Sequence, residues 1–495
     1  MRSRLVAVAL LAALLGGCRR TSTPAAAGSR NLPKGDAVWL TDPRGAGEAH
    51  LEEELQKIGA AALFLPAGEL SLEAGRGSFR ADPAPPHPFQ RMRVVLVVRP
   101  GAGLSAALTA PVGSDAEGMA RAIETALSSG LAGGAPYGRV AGIHLDFPVT
   151  ASTASGCAAI VSALRRFLPP GDFVSISLQA APSSDAARKS LEPLLQSVDV
   201  LVAFVFGTQG RADPMTVDSL QRPWWAAYSA AAAGTLTGSN GQMRGAVAEK
   251  YLDLLSGNPH VELENDLSVD DPTISAFNFV ARDALRIDDL ALEPGARVAF
   301  RQPVLPEMLF QLGSSMAGKR RTLGRLILFE GSSDADRVFP MTAFEDVLLG
   351  RSLEPVLEAN ARALGHNAVS VTAENRSRHA SVVSRISNWV EVDLAPAHPA
   401  DLQLGGFDRY EVYDAGGVPV SPGRATRIRL FETLVAPMET ILPARIVVRG
   451  GLPKDCCRHR LHLIAAAGPE VARDWTEPPP RPTPPPAKAP KGKRR

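Results

Sequence analysis

Between Ala37 and Phe206 the chain repeats one unit: a short unbroken apolar run, then a stretch whose apolar residues recur every three or four positions. Unbroken runs suit strands buried on both faces, as in parallel sheets, and the intervening spacing is that of amphipathic helices. The runs are Ala37–Leu40, Ala61–Leu65, Met92–Val98, Val140–Leu145, Phe173–Leu178 and Val198–Phe206. Leu51, Leu55 and Ile58 mark the helix after the first, stopped by Gly59. Met119, Ile123 and Leu127 mark the one after the third, opened by the capping-box spacing of Ser114 to Glu117. Ile160, Leu164 and Phe167 follow the fourth run, and Leu191, Leu194 and Leu195 the fifth. Such alternation leaves a (β/α)8 barrel or an open doubly wound sheet. No glycine-rich phosphate turn follows the first strand, and no P-loop or dinucleotide fingerprint occurs, so a TIM-like barrel is the expectation.

The rest of the chain is assigned around that frame. Trp224, Trp225 and Tyr228 are expected to open a helix, Gly234–Gly238 to be strand seven, and about 240–301 to be an insertion with a helix around Tyr251–Leu255. Leu323–Phe329, ending in Glu330, fits strand eight, with Phe344, Val347 and Leu348 on the closing helix. After Leu353 the period becomes two: Val369–Thr372, Trp389–Leu394, Tyr410–Tyr413, Thr426–Leu430 and Arg445–Val448 read as strands of a β-sandwich. The expected organisation is a barrel over 36–350, a smaller all-β, sandwich-like domain over 351–466, and a disordered Pro- and Lys-rich tail over 467–495.

The N-terminus reads as an export signal. Arg2 and Arg4 precede an apolar stretch, Leu5–Leu15, that is too short to span a bilayer as a stable helix. Leu15-Gly16-Gly17-Cys18 then resembles a bacterial lipobox, which implies lipidation of Cys18, a signal over 1–18 and a flexible tether over 19–35. An ordinary secretory signal or a short membrane anchor are the alternatives. Arg19, in place of Asp, permits sorting to the outer membrane, so the expected address is the cell envelope, at the outer membrane or the periplasmic face, with the membrane as partner through the lipid. In an oxidising compartment Cys157 is a candidate to bridge Cys456 or Cys457 and tie the two domains together. The run Cys456 to His462 fits no standard zinc spacing, and neither a metal nor a cofactor is expected. A net charge of +2 without clustered Lys or Arg in the folded region argues against nucleic acid as a partner.

Candidate chemistry centres on VAGIHLDFP, Val140–Pro148. Its apolar run ends on Asp146, which a barrel would deliver to the C-terminal mouth where such folds keep their active sites. His144 lies two residues earlier and shares a face with Asp146. Where a hydrolytic mechanism needs two carboxylates, Asp146 can pair with Glu330, its candidate catalytic partner, or with Asp42, both at predicted C-terminal strand ends. Gln209, beyond strand six, belongs to the same rim, and Trp39 and Trp224 are candidate sugar platforms alongside His144. The alternatives are plain: Asp146 caps the helix that starts near Ser152 or Thr153, His144 is a satisfied core histidine, and the tryptophans pack. No GxSxG or HExxH motif supports a serine hydrolase or zinc protease.

The same stretch resembles the fourth strand of chitinase-like glycoside hydrolase barrels, which reads roughly DGxDxDxE. Laid on that pattern, Asp146 keeps the third Asp, while Ala141, His144 and Pro148 replace the first Asp, the second Asp and the catalytic Glu. Most of 36–450 also resembles a family of uncharacterised bacterial exported proteins with a glycosidase-like barrel and a β-rich region. The matching stretches are Val38-Trp39-Leu40, Gly142–Phe147, Leu178, Val198-Asp199, Gly405–Glu411 and Arg429–Thr433. The resemblance implies a glycan or cell-wall polymer as partner and a second acid where this chain has Pro148. Proline cannot protonate a leaving group, so two readings stand: a glycan-acting envelope lipoprotein, or a glycan-binding one with a degenerate site.

Overall fold

The computed structural model describes residues 32–42, 44, 50–73, 76–109, 116–131, 137–180, 182, 184–205, 212–264, 274–303, 305–329, 341, 346, 351, 355–452, 456–464 and 470–476. Among them, eight parallel strands form the barrel: β1 (Ala37–Leu40), β2 (Ala62–Glu73), β4 (Phe89–Pro100), β5 (Gly138–Leu145), β6 (Phe173–Leu178), β7 (Val200–Phe204), β8 (Trp224–Ser229) and β16 (Thr322–Phe329). They pair in that order and β16 pairs back onto β1, which closes the sheet. Helices α1 (Leu51–Lys57), α2 (Leu104–Thr109), α3 (Ala116–Leu131), α4 (Ala154–Leu164), α5 (Asp185–Ser197) and α6 (Pro214–Ser219) connect the strands.

Alternation along each strand divides the side chains. Leu63, Leu65, Val94, Leu96, Ile143 and Leu145 pack outward with the helices, whereas Trp39, Phe64, Val97, Phe173, Phe204 and Trp225 fill the barrel interior. The interior is a packed plug. Trp39 lies against Phe64 at 5.9 Å and Phe204 at 6.3 Å, and Phe64 meets Trp225 edge-on at 5.4 Å. Gly142 is required where β5 meets β6, since a Cβ there would sit 2.2 Å from the Phe173 carbonyl oxygen. At the opposite, N-terminal end Asp199 accepts from the Val174 N–H at 2.8 Å and pairs with Arg165, the residue that follows α4, a stabilising role for the Val198-Asp199 motif.

Several elements differ from the sequence expectation. Trp224–Ser229 is barrel strand seven, not a helix: Trp225 turns inward and Trp224 and Tyr228 outward, so a strand buried on both faces loses any readable period. The second apolar run, Ala61–Leu65, continues as β2 to Glu73, and the chain returns as β3 (Arg76–Ala81), its antiparallel partner. The segment Gly234–Gly238 belongs to the inserted unit. There β9 (Ala233–Thr237), β10 (Met243–Val247), β11 (Val261–Glu264), β12 (Ile274–Ala281) and β15 (Arg297–Pro303) make an antiparallel sheet, with the hairpin β13 (Leu285–Ile287) and β14 (Leu290–Leu292) and helix α7 (Tyr251–Ser256). Helix α8 (Leu305–Met316) then leads into β16.

The C-terminal region is two antiparallel sheets around one core. One contains β17 (Leu357–Ala363), β18 (Ala368–Asn375), β20 (His398–Gln403) and β23 (Thr440–Arg449). The other contains β19 (Trp389–Asp393), β21 (Arg409–Tyr413), β22 (Arg427–Phe431), β24 (His459–Ile464) and β25 (Glu470–Thr476). Val371, Val392, Ile428, Leu430, Ile446 and Leu463 share the core between them. Strand β25 pairs with β24, so ordered structure continues past 466 into the expected tail. No bridge joins the domains through Cys157, which is free and buried in α4; Cys456 and Cys457 are bonded to each other. The signal, Cys18, most of the tether, Phe344, Val347 and Leu348 of the expected closing helix, and residues 477–495 lie outside the described residues.

Candidate functional site

Asp146 is the residue immediately after β5, and its backbone N–H donates to the Val98 carbonyl at 2.9 Å, which fixes it at the C-terminal end of the barrel. Its Oδ1 accepts from Ser177 Oγ at 2.7 Å. Below it, inside the barrel, His144 lies with Nε2 3.0 Å from Ser177 Oγ and Nδ1 2.9 Å from Ser175 Oγ. One hydroxyl carries one proton. Because Ser177 donates to Asp146, it accepts from His144 Nε2–H, and Nδ1 then accepts from Ser175. The polar ladder therefore has one donor direction, from Ser175 through His144 and Ser177 to the carboxylate.

The electrostatics follow from depth. His144 is fully buried, edge-on to Trp39 at 4.8 Å and Phe64 at 5.4 Å, and burial pushes it down to about 3, so it is neutral. It touches the mouth only through Ser177. Burial also raises the Asp146 carboxyl above its ordinary value, opposed by the Ser177 hydrogen bond and the Arg99 charge. Arg99 follows the aliphatic run of β4 and donates from Nη2 to both Asp82 oxygens, at 2.8 and 2.7 Å. Its Nε is buried without a hydrogen-bond partner among the described residues.

The other candidates are placed as follows. Asp42 lies just beyond β1, gripped by Arg44 through Nε at 3.1 Å and Nη2 at 2.6 Å, and Arg44 holds its carboxyl below the usual value. Trp39 is 3% exposed inside the barrel and offers no ring face to a sugar. Trp224 is buried on the outer side of β8, its Nε1 donating to Asp218 at 3.2 Å. The helix after β5 is not capped by Asp146; Thr150 and Thr153 exchange bonds across its first turn, and Thr153 Oγ1 donates to the Pro148 carbonyl at 2.7 Å. Gln209 and Glu330 lie outside the described residues. Ser175, Ser177, Asp82 and Arg99 were not singled out from sequence. The one available signal was FVSISL, where hydroxyls occupy alternate positions of a strand otherwise fit for full burial.

The histidines and cysteines near the C-terminus have other partners. Cys456 is bonded to Cys457, and His462 Nδ1 donates to the Ser387 carbonyl at 2.5 Å while its ring stacks on Trp389 at 5.3 Å.

Fold and site together define a (β/α)8 barrel with a titratable acid at its C-terminal mouth, followed by a β-sandwich. No family model matches the chain, and no curated protein matches it. Among solved structures it is similar to a family GH18 chitinase from Chromobacterium violaceum, with 10% identity, coverage of 89% of this chain and 91% of that one, and a TM-score of 0.39. It is also similar to the spore cortex-lytic enzyme SleL of Bacillus cereus, at 14% identity, 64% and 74% coverage and a TM-score of 0.38. A group IV chitinase of Ostrinia furnacalis aligns at 9% identity, 64% and 99% coverage and a TM-score of 0.38.

Proposed function

We propose that the chain is an envelope lipoprotein that acts on glycans at the mouth of its barrel, with Asp146 as the acid that engages the sugar and Glu330 as its partner. One observation carries this reading: an acid with a raised carboxyl at the functional end of the barrel, held by a hydroxyl that a neutral, buried histidine orients. Raising the carboxyl brings it closer to the pH at which a general acid works, and the Ser177 bond fixes which oxygen faces the ligand. Arg99 supports the reading as a cation beside Asp146 with a donor left over.

A second reading, glycan binding without turnover, is favoured by Pro148, which supplies a carbonyl to Thr153 where a chitinase-like strand would carry its acid. A polysaccharide panel separates the two. Under the first reading Asp146→Asn lowers turnover by about 10²-fold or more, because proton transfer of this kind contributes on that scale, and Glu330→Gln does likewise. Turnover that survives Asp146→Asn sinks the catalytic role. Binding without turnover in the parent chain, weakened by Asp146→Asn, selects the second reading.

The address is part of the same proposal. Lipidation of Cys18 would hold the barrel at the membrane on the 19–35 tether, and the exported barrel-plus-β family that the sequence resembles fits that address. Cys18→Ser should release the protein from sedimented membranes into the soluble fraction; retention on the membrane would remove the lipid anchor from the proposal.

A further inference from the structure

The outer face of the sheet containing β19, β21, β22, β24 and β25 carries an arrangement that the barrel site does not use. Ile428, Leu430, Val390, Val392 and Leu461 point into the sandwich core, so their alternate neighbours project to the other side. There Arg429 lies between Trp389 at 4.2 Å and Tyr413 at 4.5 Å. Arg427, Arg458 and Arg460 surround Trp475 at 5.1, 5.5 and 5.0 Å. Register makes the pattern continuous, since Glu411, Arg429, Glu391 and Arg460 are successive cross-strand partners.

Arg458 pairs with Asp393 at 2.7 Å and Arg409 with Glu411 at 2.6 Å, but the remaining charges on this face do not balance. Glu391, 1% exposed, accepts from Arg429 at 2.6 and 3.0 Å and from Arg460 at 3.1 and 3.2 Å, and Arg427 comes within 3.9 Å of it. One buried carboxylate thus faces three guanidinium groups. The Nε atoms of Arg427 and Arg460 are buried with no hydrogen-bond partner among the described residues. Unsatisfied buried donors on charged groups are costly, and an acidic ligand placed on the free ends of those guanidiniums would offset the local excess of positive charge. Arg460 is 33% exposed, and Arg458, paired with Asp393 at 2.7 Å, is 44% exposed, so an edge of each guanidinium is accessible to such a ligand.

We propose that this face binds an anionic polysaccharide, with sugar carboxylates seated on Arg427 and Arg460 and Arg458 at the rim. Planar guanidinium forks match carboxylates in a way lysines do not. The ring faces are already taken: Arg429 and His462, from strands on either side of β19, cover Trp389, and arginines surround Trp475. That leaves Trp389 no open ring face on which a base of a single-stranded nucleic acid could stack. The site is separate from the barrel mouth and does not depend on turnover there.

The test measures affinity of the full chain for polygalacturonate, for neutral dextran and for an oligothymidylate. Polygalacturonate should bind, more weakly as salt is raised, while dextran should not. Arg427→Gln with Arg460→Gln should weaken polygalacturonate binding by about tenfold, the scale of one lost charge-assisted hydrogen-bonding group. Arg427→Lys with Arg460→Lys keeps the charges and should still weaken binding, and its unchanged thermal midpoint guards against loss of fold. The basic segment after 476 is common to all these chains, so its contribution cancels in the comparison. Affinity for polygalacturonate that is unchanged in both double variants, or oligothymidylate that binds as tightly and loses as much, overturns the proposal.

Discussion

Trp39→Ala should cost the fold about 3–5 kcal/mol, the range for truncating a large aromatic in a packed core. The sequence offers Trp39 as a sugar platform, with packing as the alternative. In the barrel it is 3% exposed and wedged among Phe64, Phe204 and His144. Loss of the indole would open a void in the plug and let water reach His144, the group whose neutrality fixes the direction of the ladder to Asp146. Trp39→Phe keeps a ring and should lose less. The urea midpoint followed by circular dichroism measures the cost. If Trp39→Ala left stability within about 0.5 kcal/mol, as changes at exposed sites do, and only weakened glycan binding, the platform reading would stand and the plug reading would fall.

The legibility of the fold tracks the physical signals available. Strands one to six could be read because each is buried on both faces, and the first, fourth and fifth are followed by helices with an apolar stripe; Leu51 and Leu55, Ile160 and Leu164, and Leu191 and Leu194 are buried on those helices. Strand seven could not, because Trp-Trp-Ala-Ala-Tyr-Ser has neither a two-residue nor a 3.6-residue period. The site was half legible. Periodicity alone puts His144 and Asp146 on one face, but the partner that joins them, Ser177, lies on the neighbouring strand, and the register of β5 against β6 is set by contacts that no local pattern encodes. The same holds for Gly405–Glu411 and Arg429–Thr433. They are distant in sequence, yet Arg409 pairs with Phe431 and Glu411 with Arg429 across β21 and β22. What the sequence presents as two motifs is one cross-strand unit.

That unit carries the second large effect. Glu432→Gln should stabilise the protein increasingly as pH rises, by about 2–4 kcal/mol at pH 8 and by almost nothing near pH 4.5, taking about 1.4 kcal/mol per pH unit and allowing for coupling among the acids. Glu432 is 7% exposed, and its Oε2 has no hydrogen-bond partner among the described residues. It faces Asp408, Glu439 and, from α7 of the inserted unit, Asp253. Asp408 accepts from the Thr433 N–H at 2.6 Å and from the protonated Glu432 carboxyl, and Glu439 accepts from the Ala436 N–H at 2.7 Å, so the arrangement holds only while Glu432 keeps its proton. Burial first, and the neighbouring carboxylates second, push Glu432 up to about 10; burial raises Glu439 to about 7. A folded-state carboxyl that titrates above its unfolded value holds a proton the unfolded chain has released, so folding takes up protons throughout that interval. Stability is therefore full below about 4.5 and falls as pH rises, through about 7 for Glu439 and on toward 10 for Glu432. Glutamine has the shape of the protonated acid and never ionises, so the variant should keep the stability that the parent loses. Thermal midpoints of the two proteins from pH 4.5 to 8.5 should diverge steadily. Parallel curves, or a glutamine variant less stable than the parent at pH 8, would mean that the cluster is already neutralised by a group other than its own protons.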